Sequence, residues 1–95
     1  MIVIDHDLKL EKDTVFEDNV RVNDNIYGGK YILTVKGELI CRYAIVKELN
    51  VSEDAYARMI VAQKASARDF NVEFMASNSV VGNTKNVSHI EKIEW

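Results

Sequence analysis

From residue 39 onward the apolar positions of this chain fall in pairs two residues apart, and the pairs recur every five positions. The first members are Leu39, Ala44 and Leu49. After a one-residue slip at Ser52-Glu53-Asp54 they continue as Ala55, Ile60, Ala65, Phe70, Met75 and Val80. The second members are Cys41, Val46, Val51, Ala57, Ala62, Ala67, Val72, Ser77 and Gly82, all small or β-branched. Mostly polar residues follow each pair, as in Lys47-Glu48, Gln63-Lys64 and Arg68-Asp69. A lone strand alternates with a period of two and a helix repeats near 3.6, so a period of five fits neither. It predicts a β-solenoid, in which each unit makes one side and one corner of a coil. Two side chains of the unit point to the axis and the others face water. The axis is crowded, so one inward position must be small, and each coil buries its apolar edge only against its neighbours. We expect a quadrilateral coil of four units, about 20 residues.

The flanks complete an all-β reading of a single domain, residues 1–95. Residues 1–38 read as short strands and turns: Val15-Phe16, the alternation Val20-Arg21-Val22, the turn residues Asn23-Asp24-Asn25 and Gly28-Gly29, then the β-forming run Tyr31-Ile32-Leu33-Thr34-Val35. We assign this segment as an N-terminal strand cap, residues 39–84 as the repeats, and residues 85–95 as a short C-terminal cap or interface segment. There is no proline and no linker-like stretch to mark a domain boundary.

One other fold competes for the middle of the chain. Ser52-Glu53-Asp54 is a good helix start, a capping serine followed by acids, and alanine-rich sequence runs on to Ala67. A helix at about 53–69 would line up Tyr56, Met59, Ile60, Gln63, Ala67 and Phe70 and give a small α+β domain. The five-residue pattern is the better account because it spans both flanks of that segment.

Composition agrees with a folded, soluble chain: 47% hydrophobic and 28% charged residues over 95 positions, with a formal charge of −3. That charge argues against direct nucleic-acid binding. The acids are concentrated early, with 8 acids and 5 bases in residues 1–38 against 7 of each in residues 39–95. The start, Met1-Ile2-Val3-Ile4-Asp5-His6-Asp7, lacks the basic flank and length of a signal peptide. No stretch approaches the roughly 20 apolar residues of a membrane helix. With one cysteine and no targeting signal, a cytoplasmic location is expected.

The search for chemistry is short. Asp5-His6-Asp7 has metal-binding residue types, but in a strand the two acids face one way and the histidine the other, so we read it as a solvated acidic edge. Cys41 holds a small inward position and reads as a buried structural thiol. Gly28-Gly29-Lys30 lacks the rest of a phosphate loop and reads as a turn. Arg42, Arg58 and Arg68 with Tyr43 and Tyr56 contain the ingredients of a stacking surface, which we read as a solvated exterior. No catalytic, cofactor or metal set is expected, and the chain is read as a non-enzyme.

Units of the form apolar-x-small-x-x resemble the pentapeptide-repeat and related degenerate β-solenoid proteins of bacteria, phages and mobile elements. Leu10-Glu11-Lys12-Asp13-Thr14-Val15-Phe16 and Leu33-Thr34-Val35-Lys36-Gly37-Glu38-Leu39 are similar to segments of short solenoids from phage and mobile-element genomes. The match departs in one respect: standard pentapeptide repeats place the small residue two positions before the large one, and here it follows. The resemblance implies a non-enzymatic inhibitor that occupies a surface of a host defence or nucleic-acid-processing complex, of the anti-CRISPR type. Its partner would be a host protein or ribonucleoprotein complex, with a homodimer or a self-associating structural module as the alternative. With four units per coil, the outward residues Ile40, Val61 and Val81 fall in one vertical apolar stripe with Tyr43 beside it. An exposed stripe of this kind marks an interaction surface. We therefore take Ile40, Tyr43, Val61, Val81 and the tail residue Trp95 as the interaction residues.

Overall fold

The computed structural model describes residues 1–93. Its elements are β1 (Ile2–Ile4), β2 (Leu8–Lys9), β3 (Thr14–Phe16), β4 (Val20–Val22), β5 (Ile26–Val35), β6 (Leu39–Ile40), β7 (Tyr43–Val51) and β8 (Asp54–Glu91). Every strand pairing is parallel, and among the described residues there is no helix. The 38 residues of β8 would reach about 125 Å if straight, yet the longest extent of the molecule is 28 Å. The strand therefore winds. The pairings define a parallel β-solenoid of about four turns, and the end of β8 extends the winding.

Each turn carries three strand segments. The first face stacks β1, β4, β6 and the start of β8, through Ile2↔Val20↔Leu39↔Ala55. The second stacks β2, the first part of β5, the first part of β7 and Met59–Val61, through Leu8↔Ile26↔Ala44↔Ile60. The third stacks β3 and the later parts of β5, β7 and the next stretch of β8, through Thr14↔Leu33↔Leu49↔Ala65. The cross-section thus has three faces instead of the expected four. Five-residue units still build it: the advance of sixteen residues from Leu39 to Ala55 is three units plus the slip at Ser52-Glu53-Asp54. Further along, the advance is fifteen residues. The Arg68 amide donates to the Glu53 carbonyl at 2.8 Å, and the rings of Phe74 and His89 stack at 5.2 Å.

Residues 1–38 continue the stack downward in the same parallel register, with longer corners. Ile2 pairs eighteen residues ahead with Val20, and Thr14 nineteen ahead with Leu33. Each of the three corners of this first turn carries an Asx side chain that bonds the turn above. Asp7 Oδ1 accepts the Asn25 amide at 3.1 Å, Asp13 Oδ1 the Ile32 amide at 2.9 Å, and Asn19 Oδ1 the Glu38 amide at 2.9 Å. The added corner residue leaves a backbone donor without a strand partner, and the Asx oxygen satisfies it.

The interior follows the pairs read from the sequence. Leu39, Ala44, Leu49, Ala55, Ile60, Ala65, Phe70 and Met75 are buried as first members, and Cys41, Val46, Val51, Ala62, Ala67, Val72 and Ser77 as second members. Up the first column Ala55 sits between the larger Leu39 and Phe70, and in the second Ile60 and Met75 stack above Ala44. Two glycines sit at crowded second-member positions. A Cβ on Gly28 would come within 2.7 Å of Leu10 Cδ1 in the turn below. Gly82 has φ of 132° and lies where a Cβ would meet the Ala67 carbonyl oxygen, so an L side chain is excluded on both counts.

The helix at about 53–69 does not form. Ser52-Glu53-Asp54 is a corner: the Ser52 amide bonds the Val35 carbonyl and the Glu53 amide the Gly37 carbonyl, at 2.9 and 3.1 Å. Alanines that favour a helix by propensity are what the crowded axis needs, and burial of Ala55, Ala62, Ala65 and Ala67 outweighs that preference. Tyr56, on the apolar face of the expected helix, points outward and is 37% exposed.

Candidate functional site

Outward positions sort by face once the register is known. On the first face Arg21, Ile40 and Tyr56 stack. On the third, Val15, Thr34, Asn50 and Ser66 stack, and the Ser66 hydroxyl bonds Asn50 Oδ1 at 3.1 Å. The second face is different. Its central column is Tyr27, Ile45 and Val61, and beside it Tyr43 stacks on Met59. The Arg58–Glu73 ion pair at 3.8 Å carries this second column on to Phe74 and then to His89. All of the apolar members are partly exposed, so the strip is continuous over several turns.

The expected stripe of Ile40, Val61 and Val81 is not a stripe. Ile40 stacks with Tyr56 on the first face, Val61 with Ile45 on the second, and Val81 lies on the third, 66% exposed. Tyr43 and Val61 share the second face, in neighbouring columns. Trp95 lies outside the described residues. A stacking interval of four units does not bring Ile45, Met59 and Phe74 to this face, and Tyr27 lies before the five-residue repeat begins. An interval of three, applied to the same five-residue pattern, aligns Ile45 with Val61 and Tyr43 with Met59.

The strip is bordered by charged corners of mixed sign, with Asp24 under Arg42 and Glu73 paired with Arg58 on one side, and Glu48 in register with Lys64 on the other. At the corner before it, Arg42 and Arg58 stack through the bond from the Arg58 amide to the Arg42 carbonyl at 2.9 Å. The Arg42 guanidinium lies 5.1 Å from the centre of the Tyr43 ring, a cation–π contact. The corner beyond it carries Lys30, Lys47 and Lys64, all exposed. Lys30 stands in the register break between Gly28 and Ile32, so Gly28-Gly29-Lys30 is a strand irregularity at a corner, with Gly28 buried inside β5.

The remaining polar groups serve the scaffold. Asp5 Oδ1 accepts from Asn23 Nδ2 and Asp7 from the Asn25 amide, so the acidic edge braces the second turn as well as facing water. His6 Nδ1 lies 2.7 Å from the Asp7 carbonyl oxygen. Burial pushes the Cys41 thiol up to about 12, so it stays protonated and unreactive at neutral pH. At the corner between the third and first faces, Arg68 grips Asp54 with two bonds, at 3.1 and 3.2 Å. This holds the Asp54 carboxyl below its ordinary value and the Arg68 guanidinium above its own. Partial burial, with the Asp54 charge adding to it, raises the Tyr56 phenol. Among the described residues no cluster of three His, Cys, Asp or Glu could hold a metal ion, and no helix is long and apolar enough to cross a membrane.

Comparison with known protein families, with curated proteins and with solved structures gives no match. The class defined here is therefore a structural one: an all-β parallel solenoid, compatible with a pentapeptide-repeat-like fold in its five-residue units while carrying three of them per turn.

Proposed function

We propose that the protein is a non-enzymatic binding module that works by seating its second face on a larger macromolecule. The observation that carries this reading is the strip formed by Tyr27, Ile45 and Val61 beside Tyr43, Met59 and Phe74. A contiguous apolar patch with a polar rim on a rigid scaffold is the usual anatomy of an interaction surface. The narrower reading is an inhibitor, of the anti-CRISPR type, that covers a working surface of a host defence or nucleic-acid-processing complex. It is supported by the resemblance of the repeats to short phage and mobile-element solenoids, and fold alone does not fix function.

Affinity capture with quantitative mass spectrometry tests the module. The wild-type chain is compared with Tyr43→Ser/Ile45→Ser/Val61→Ser, and with Ile40→Ser/Val81→Ser as a control from the other two faces. The expected result is a stoichiometric partner that the wild type and the control retain and the triple variant loses, with unchanged far-ultraviolet circular dichroism. Recovery of no partner, or equal recovery by all three, would sink the proposal. A wild-type homodimer that the triple variant breaks would replace it with self-association.

A further inference from the structure

The two ends of the solenoid are built differently. In the first turn β1, β2 and β3 each pair only with the turn above. Among the described residues their lower edges meet nothing, which leaves a three-sided rim of backbone donors and acceptors. Open strand edges of this kind are templates for further pairing. The inward residues Ile2, Ile4, Leu8, Thr14 and Phe16 on this rim are partly buried and uncharged. The central outward residues of β1 and β3, Val3 and Val15, are 53% and 54% exposed. Most carboxylates of this turn are drawn upward, away from the rim. Asp5 bonds Asn23, Asp7 and Asp13 bond amides of the second turn, and Glu17 pairs with Lys36 at 3.2 Å.

The last turn carries the opposite chemistry. Asn78 Oδ1 accepts the Ile93 amide at 3.1 Å, so the advance is still fifteen residues. At that advance Lys85 falls in the inward column above Phe70 and Lys92 in the one above Ser77, and both are exposed. Inward charges guard an edge, because a neighbour stacked on it would bury an ammonium without a partner.

We propose that the first-turn rim binds the same rim of a second copy of this chain, giving a closed two-fold dimer. All strands of the solenoid run in parallel, so two rims related by a two-fold axis meet antiparallel, as an isologous contact. Strand length sets the register: the three-residue β1 and β3 pair with each other, and the two-residue β2 with its own copy. Ile2 then lies opposite Phe16, Val3 opposite Val15, and Ile4 opposite Thr14. The core continues through the interface, and the two exposed valines cover each other. Aromatic and β-branched cross-strand pairs favour this register. Shape selects a second copy as the occupant: three edges closed into one rim are matched in number, angle and strand length by the identical rim. Head-to-tail stacking would set Ile2, Ile4 and Leu8 against Lys85 and Lys92, and a turn of eighteen to nineteen residues on one of fifteen. The dimer leaves both second faces free, so it does not depend on the docking role proposed above.

Sedimentation velocity on the full chain over a concentration series tests this. The expected result is a reversible monomer–dimer equilibrium with no larger species. Val3→Lys/Val15→Lys sets lysines opposite each other at exposed positions and should weaken the dimer by about tenfold or more, with unchanged far-ultraviolet circular dichroism. Val81→Lys, at the other end, should leave it unchanged. Residues 1–18 hold six acids and two lysines, so like charges face each other and added salt should tighten the dimer. On mild oxidation Val3→Cys/Val15→Cys should cross-link into disulfide-bonded dimers, Cys41 being buried. A chain that stays monomeric, a dimer that Val3→Lys/Val15→Lys does not weaken, or absence of the cross-link would overturn the inference. So would open-ended growth that Val81→Lys stops and salt weakens, which is the head-to-tail stack. A dimer broken by Tyr43→Ser/Ile45→Ser/Val61→Ser would overturn it too and assign self-association to the second face.

Discussion

The first turn and the later turns of the solenoid solve one problem in two ways. In the first turn the corners are long, and Asp7, Asp13 and Asn19 reach up to bond the amides of Asn25, Ile32 and Glu38. From residue 55 the corners are short, the advance settles to fifteen residues, and the turns are held by strand bonds and by side chains close-packed at the axis. The difference teaches that winding can be set from outside, by corner side chains that satisfy spare donors, or from inside, by the volume of the axial residues. The apolar strip of Tyr27, Ile45 and Val61 runs across both regions.

The largest expected effect breaks the inner mode. Phe70 is fully buried at the axis, and Phe70→Ala should cost about 3–5 kcal/mol. Urea unfolding checks this, and a loss below about 1 kcal/mol would mean that axial packing does not hold the later turns. A smaller effect isolates the outer mode. Asp13→Ala and Asn19→Ala each leave a backbone donor unsatisfied and should cost about 1–2 kcal/mol. Hydrogen exchange should speed up at the amides of Ile32 and Glu38. Lys64→Ala, at an exposed later corner with no such bond, should stay within about 0.5 kcal/mol. Equal effects at both kinds of corner would erase the distinction.

The smallest effect is a pH dependence at the corner between the third and first faces. Arg68 holds the Asp54 carboxyl below its ordinary value. A depressed carboxyl contributes stability that is fully present above the unfolded value, about pH 4. That contribution is lost as the pH falls through the lowered folded value. The gap in urea midpoint between wild type and Asp54→Asn should therefore be constant near neutrality and shrink below about pH 4. A gap that persists unchanged at pH 3 would show that Asp54 acts through something other than its charge.

Much of this was legible in the chain. The inward pairs from Leu39 to Ser77 could be read because two residues flanking one outward residue is a local property of an extended segment. Other features hid behind local ambiguity. Ser52-Glu53-Asp54 suits a helix cap as well as a corner, and only the bonds to Val35, Gly37 and Arg68 separate the two. Asp5 and Asp7 could be read as solvated because their partners, Asn23 and Asn25, come from the next turn. The candidate site depended on one integer. With three units per turn Tyr43 and Val61 share a face, while Ile40 and Val81 part.

By itself the amino-acid pattern determined which side chains face the axis, which must be small, and that the fold is all-β, because alternation along an extended backbone and crowding at an axis act within a few residues. The number of units per turn, the length of the corners and the composition of each face were decided by the tertiary structure. The angle at a corner is set by hydrogen bonds to the turns above and below, and those partners lie fifteen to nineteen residues away. No five-residue window contains them, so the apolar strip and its charged borders exist only once the chain has wound.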